Sequence, residues 1–286
     1  MAVLVILNIV TLLLANRPFS SGQAGSSREE IASVGNVSIT REQLWRELEK
    51  RYGQETLSHL IDNEVVKQTA KDLNVSVSED ELKTELVFIK TLYGSYDQSA
   101  AQNEGAWEQQ IRNRILLEKL LVHDVKVKEE RARQQYDQNP EAYKIPTTYH
   151  LSHIVVDTKK QAKQVVEELK EGASFSALAK EKSTDDASVS TGGDIGYLSK
   201  KQTRYAARYI EEAAELKKHK YSKPFKVKDG YSIIYLNEKI KKKTYPFSEV
   251  KGMIERQLAL EEMSGSLTAD YFWKDRDVEN NYKVSE

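Results

Sequence analysis

The run STDDASVSTGGDIGYL, Ser183 to Leu198, decides what kind of fold this chain can have. A polar Ser/Thr/Asp stretch leads into paired glycines, an Asp, a third Gly and an aromatic residue. Read as a phosphate loop it would imply a parallel α/β sheet; read as a calcium loop, a pair of helices. A phosphate loop needs Gly-Lys-Ser/Thr opening a helix, and here "DIGYL" follows the glycines with no lysine in place. A calcium loop needs acids at fixed alternate steps and a closing Glu, a pattern that Asp185, Asp186 and Asp194 miss. What remains is a tight structural turn, for which Gly192, Gly193 and Gly196 supply the conformational freedom.

The segments on either side of that turn say what it connects. Tyr149–Val156 reads as a strand, and Lys159–Glu171 as a helix stopped by Gly172. "SFSALAKEKS" reads as a second helix, capped by Ser174, with Phe175, Leu178 and Ala179 facing inward. After the glycine loop, "AARYIEEAAELKK" gives a third helix. "KPFKVKDGYSIIYLNEKI" gives two strands about a turn at Asp229-Gly230. The order β-α-α-loop-α-β-β over about a hundred residues predicts a small α+β domain. Two prolines in "NPEAYKIP" mark its beginning.

The flanks have a different texture. "SVGNVSIT" reads as a short extended pair turning at Gly35-Asn36, and Thr40 with Gln43 forms a capping box. Trp45, Leu48 and Tyr52 follow at helical spacing, then Leu57, Leu60, Ile61, Val65 and Val66, ending near Leu73-Asn74. Ser78 caps another helix, whose first turn is crowded with acids that complement the helix dipole. Trp107, Ile111, Ile115 and Leu116 with Leu120 make an apolar stripe on the next, which Leu117 and Leu121 widen. Beyond "KKKTYP", Val250, Ile254, Leu258 and Met263 predict a long helix reaching Tyr271-Phe272-Trp273. An α+β module therefore interrupts an otherwise helical chain, and the C-terminal helix is expected to fold back onto the N-terminal ones.

Composition excludes several kinds of chemistry. The 286 residues carry 43 Lys and Arg against 44 Asp and Glu, for a net charge of −1. That balance leaves no global field to steer nucleic acid. With no cysteine there are no disulfides, thiolate nucleophiles or cysteine-based metal sites. Histidines 59, 123, 150, 153 and 219 are scattered; His150 and His153, three apart in a strand, point to opposite faces. No metal and no cofactor is expected. The first fifteen residues, "MAVLVILNIVTLLLA", are almost wholly apolar and lead into a Ser/Gly-rich tether. They read as a signal segment or an uncleaved anchor, which places the body of the protein outside the cytoplasm.

Taken together, "SHIVV", "FSALAKEKS", "GGDIGYL" and "DGYSIIYL" occur in an order and spacing that resembles the parvulin family of peptidyl-prolyl isomerases. The flanking "VGNVSITREQL", "LIDNEVVKQTAKDLNVSVSEDEL" and "WEQQIRNRILLEKLL" resemble the helical chaperone lobe of PrsA-like and SurA-like foldases. The resemblance implies an α+β fold: a parvulin-like small antiparallel sheet with helices, inserted in an all-α chaperone lobe completed by a C-terminal helix. The boundaries are then residues 1–15 for the apolar segment, 16–30 for the tether, 31–144 for the lobe, 145–243 for the isomerase module and 244–286 for the returning helix. The lipoprotein cysteine of PrsA-like proteins is absent.

The same resemblance implies a site. His153 matches the first of two family histidines, Asp185 falls where members carry Cys or Asp, and Ser232 stands where the second histidine is usual. Tyr205 and Tyr209 fall on the apolar proline pocket. Each has a plainer reading: a hydrogen-bonded core histidine, a turn acid, two packing tyrosines. The implied activity is isomerisation of X-Pro bonds in unfolded or newly exported polypeptides, without covalent catalysis. The alternative is a weak or inactive parvulin-shaped holdase that binds chains through its helical lobe. A membrane contact through the N-terminal segment and a homodimer are compatible with either; nucleic acid is not expected.

Overall fold

The computed structural model describes residues 29–93, 104–200, 205, 207–263 and 268–282. These fall into two compact units, residues 29–61 with 279–282, and the described residues within 62–278.

In the first unit, β1 (Glu30–Val34) and β2 (Val37–Thr40) form an antiparallel hairpin about Gly35. The capping box is formed: the Gln43 amide N–H donates to Thr40 Oγ1, and Thr40 N–H donates to Gln43 Oε1. These two bonds start α1 (Arg41–Asp72). Val34, Val37, Trp45 and Tyr52 are exposed. Tyr282 packs where Gly53 leaves no side chain in the way.

The second unit holds α2 (Glu79–Tyr93), α3 (Glu104–Leu121) and α4 (Glu129–Gln138), followed by a 3-10 turn at Pro140–Tyr143. Ser78 Oγ accepts from the Glu81 amide and so caps α2. On α3 the four-residue spacing of Trp107, Ile111 and Ile115 puts these side chains in one core with Leu82 and Leu86 of α2. The C-terminal helix α9 (Phe247–Glu262) does the same with Val250, Ile254 and Leu258, which pack with Phe88, Ala132, Tyr143 and Tyr245. It folds back onto earlier helices, as its spacing predicts.

The four-stranded sheet is fully antiparallel, in the spatial order 194–199, 148–156, 230–240, 225–227. Its strands are β4 (Thr148–Val156), β5 (Asp194–Ser199), β6 (Phe225–Val227) and β7 (Gly230–Ile240). Helices α5 (Lys159–Lys170) and α6 (Phe175–Lys182) cover one face, burying Ile154, Val156 and Ile233. Helix α8 (Ala207–Glu215) covers the other, over Leu151, Ile195, Ile234 and Leu236. A short helix α7 (Asp186–Val189) precedes the glycines. Two small strands, β3 (Lys144–Ile145) and β8 (Lys243–Thr244), pair where the chain enters and leaves the sheet.

Three local expectations change. The glycine run is only half a loop, because Asp194–Ser199 pairs with β4 as an edge strand; its glycines hid the two-residue alternation. The third helix stops at Glu215, because residues 219–222 turn to bond the rim of β7 instead. His219 N–H donates to Leu236 O at 2.7 Å and Leu236 N–H to Lys220 O at 3.0 Å. The C-terminal helix ends at Glu262 rather than running on to Trp273, with Met263 already extended and "SGS" following. Serine and glycine are poor helix formers, and Ala269–Phe272 resumes only as a 3-10 turn. Among the described residues no helix is long and apolar enough to cross a membrane. The apolar run 1–15 lies outside the described residues.

Candidate active site

His153 sits in the middle of β4 and is almost fully buried, 2% exposed. Alternation along the strand sends it to the α8 side with Leu151, while His150 goes to the other side. The glycine run fixes its backbone. His153 N–H donates to Gly193 O at 2.7 Å, and Gly193 lies so close to the His153 carbonyl that a Cβ there would collide with it. With φ at +83°, Gly193 also adopts a conformation that costs other residues dearly. The peculiar loop is thus a clamp on the strand that carries the histidine.

Both ring nitrogens of His153 are engaged. Nε2 lies 2.8 Å from Asp185 Oδ2 and 3.0 Å from Ser188 Oγ; Nδ1 lies 3.1 Å from Tyr209 Oη. Ser188 Oγ also donates to Asp185 Oδ2 at 2.5 Å. The histidine's hydrogen bond, reinforced by that of Ser188, holds the Asp185 carboxyl down at about 2 despite partial burial. Burial pushes the Tyr209 phenol up to about 12, so it stays protonated and remains a donor. These two facts assign the direction of the hydrogen bonds at the ring. A carboxylate only accepts, so Nε2 carries the hydrogen and Nδ1 accepts from Tyr209. The result is a relay, Tyr209 to His153 to Asp185, pinned at its far end by Ser188.

Tyrosines surround it. The rings of Tyr205 and Tyr209 are 5.6 and 5.8 Å from the imidazole and 5.2 Å from each other. Phe225 meets Tyr209 edge-on at 5.3 Å. Ser232, on β7 opposite Val155, is fully buried. Its hydroxyl favours ionisation of the Tyr209 phenol against the effect of burial, yet Ser232 Oγ makes no hydrogen bond of normal geometry to a described residue. His153, Asp185, Tyr205 and Tyr209 therefore converge, with Ser232 beside them but not joined to the relay. Gly192, Gly193 and Gly196 all have positive φ; the first two lie in the turn, whereas Gly196, expected in the loop, lies within β5 opposite Leu151.

Ser188 is the member that the sequence reading passed over. Its place three residues after Asp185, in the first turn of a helix, is the spacing at which a hydroxyl and a carboxylate meet. Phe225, at the start of an edge strand, gave no comparable signal. Nothing here is arranged as a nucleophile, and among the described residues no group of three or more His, Asp or Glu could hold a metal. What the site offers is an aromatic floor and a set of oriented, water-poor dipoles.

Residues 127–252 match the PPIC-type PPIASE domain family. The YacD protein of Bacillus subtilis (strain 168), named provisionally as a peptidyl-prolyl cis-trans isomerase, is 39% identical over 91% of this chain and 88% of its own length. The foldase protein PrsA of Geobacillus kaustophilus is 34% identical over 82% of this chain and 79% of its own. Among solved structures, PrsA of Bacillus cereus aligns at 23% identity over 91% of this chain and 96% of that one, with a TM-score of 0.35. On the match of its central domain and the extent of these relatives, the chain belongs to the PPIC-type peptidyl-prolyl isomerases of the PrsA and YacD foldase group.

Proposed function

We propose that the chain is a peptidyl-prolyl cis-trans isomerase that assists the folding of exported polypeptides, with His153, Asp185, Tyr205 and Tyr209 as its working site. The observation that carries this is the closed relay through His153 beneath two tyrosine rings. Rotating an X-Pro bond means surmounting a barrier of about 20 kcal/mol without making or breaking a covalent bond. An apolar socket, fixed dipoles and little competing water favour the twisted amide over the planar one. His153 is buried, whereas Asp185 and Tyr205 are partly exposed. A proline ring thus meets Tyr205 and Asp185 first, and His153 holds both from below. Ser232, in this reading, shapes the wall beside Tyr209. A protease-coupled isomerisation assay on the full chain tests the assignment. His153→Ala and Asp185→Ala should each lower kcat/KM at least tenfold with unchanged circular dichroism. Unchanged rates would remove these residues from the mechanism.

A second reading has its own support. The helical part carries two open grooves of about 660 and 570 Å³ on either side of Met253. Val87 and Tyr245 line the first; Phe88, Tyr143 and Leu260 line the second. Apolar floors with charged rims suit transient contact with unfolded chains, so a holdase role can accompany isomerisation. Suppression of aggregation by the His153→Ala variant would separate the two activities.

The apolar run 1–15 and its polar tether favour work on the outer side of a membrane, either anchored or released by cleavage. The exposed Val34, Val37, Trp45 and Tyr52 of the hairpin and α1 are compatible with a homodimer. Sedimentation of the full chain in mild detergent would decide that point.

A further inference from the structure

Although net charge is near zero, the charges are not evenly spread. Two short stretches, residues 159–163 (KKQAK) and 217–228 (KKHKYSKPFKVK), hold nine lysines and no acid; the rest of the chain carries 34 basic residues against 44 acidic ones. The fold brings the two stretches to one margin of the sheet. Residues 219–222 bond to the outer side of β7, and β6 continues that edge. Helix α5 lies over the same side, its Val166 packed in one cluster with Tyr221 and Tyr231. The turn at Gly230 comes against the backbone of Val156 and Asp157, just before α5 begins. Lys159, Lys160 and Lys163 thus stand next to Lys226 and Lys228, with Lys217, Lys218, Lys220 and Lys223 further along the edge.

All nine lysines are exposed, and none forms an ion pair with a described residue. The acids of α5 are not available to them: Glu167 is paired with Lys170, and Glu168 with Lys182. Asp157, Glu215 and Asp229 are the carboxylates that flank the two stretches, three against nine. One or two lysines suffice to keep a sheet edge from pairing with another chain. Nine without partners repel one another, and they are offset only by an external anion.

We propose that this lysine margin, formed by α5 and the β6 edge, docks the isomerase module on the anionic headgroups of a lipid bilayer. The inference rests on the reading above that the chain works at a membrane surface, and it adds the part of the molecule that faces the lipid. The chemistry favours a bilayer over a single acidic peptide. The two stretches hold no arginine, so they offer no bidentate recognition. Flexible point charges spread along a helix and a strand match a diffuse negative surface, each adding modest affinity within a Debye length. Docking there would hold the module beside the chains emerging at that surface.

The test uses the full chain reconstituted in vesicles of phosphatidylcholine alone or mixed with phosphatidylglycerol. Amine acetylation mapped by mass spectrometry reads which lysines the surface covers, apart from any insertion of residues 1–15. Lys226, Lys228 and Lys163 should be protected several-fold in the anionic vesicles and not in the neutral ones, and the protection should vanish in high salt. A Lys159→Gln, Lys163→Gln, Lys226→Gln, Lys228→Gln variant should lose roughly tenfold or more of the phosphatidylglycerol preference. Its isomerase rate on a soluble peptide should be unchanged, which reports that it is folded. Equal labelling in both vesicles overturns the proposal, as does a preference that the variant retains. Protection by polyglutamate but not by vesicles also overturns it and assigns the margin to acidic chains. An inactive isomerase with intact vesicle protection would instead count against the active-site reading alone.

Discussion

At the scale of the residue, the site depends on one assignment: Nε2 of His153 donates to Asp185 and Nδ1 accepts from Tyr209. Tyr209→Phe removes the donor at Nδ1 and keeps the ring. It should lower kcat/KM by about one order of magnitude with KM little changed, because orientation rather than binding is lost. The pH dependence of stability follows from Asp185. Its folded-state pKa, about 2, lies below the ordinary carboxylate value of 3.8. The carboxylate therefore adds stability that is fully present above the ordinary value and is lost as pH falls toward 2. Urea midpoints of the wild type and Asp185→Asn should differ at pH 6 and converge near pH 2; a gap that persists there would mean the aspartate acts otherwise. Ser232 predicts the opposite kind of result. A buried hydroxyl without a well-formed bond costs about 1 kcal/mol or more, so Ser232→Ala should raise the melting temperature and leave the rate within about twofold.

At the scale of the element, the glycine run and the caps carry the argument. Gly193→Ala would need positive φ from a residue with a Cβ and would press that Cβ on the His153 carbonyl. A loss of at least ~2 kcal/mol in denaturant unfolding is expected, together with loss of activity, since the strand that holds His153 must shift. Helix starts were legible in sequence because capping is local: Thr40 with Gln43, Ser78 with Glu81 and Ser174 with Ala177 all form. Element ends were less so. Nothing in "LKKHKY" announces that the chain leaves α8 to pair with β7; that choice depends on a partner strand, with Tyr221 bridging to Tyr235 fourteen residues further on. Strand β5 was hidden for the same reason, since Gly196 interrupts its alternation and its pairing with β4 lies more than forty residues away in sequence.

For the whole molecule, the joints between the sheet and the helices matter. Lys90 of α2 bonds Glu104 and Glu238, each at 3.1 Å, and Tyr197 donates to Glu238 at 2.5 Å. His150 stacks on Tyr197 and bonds Asp194. On the far side, Arg256 of α9, 7% exposed, meets Glu81 at 3.0 Å, Glu118 at 2.9 Å and also Glu85. Replacing it with Met would leave carboxylates in a partly buried space without their guanidinium. A loss of about 3–5 kcal/mol in the unfolding free energy of the full chain is expected. A variant that keeps wild-type stability would show that water already satisfies those acids.

The sequence by itself determined the helices with their caps, the strand that carries His153, the sheet's edge hairpin and the membership of His153 and Asp185 in one family pattern. Each depends on neighbours within a few residues, or on the order of short motifs along the chain. Only the tertiary structure decided that Tyr209 bonds the imidazole, that Ser188 completes the relay and that two lysine stretches share a margin. Those relations join residues up to about seventy positions apart. Their distances depend on how strands and helices pack, and no local pattern of residues records that.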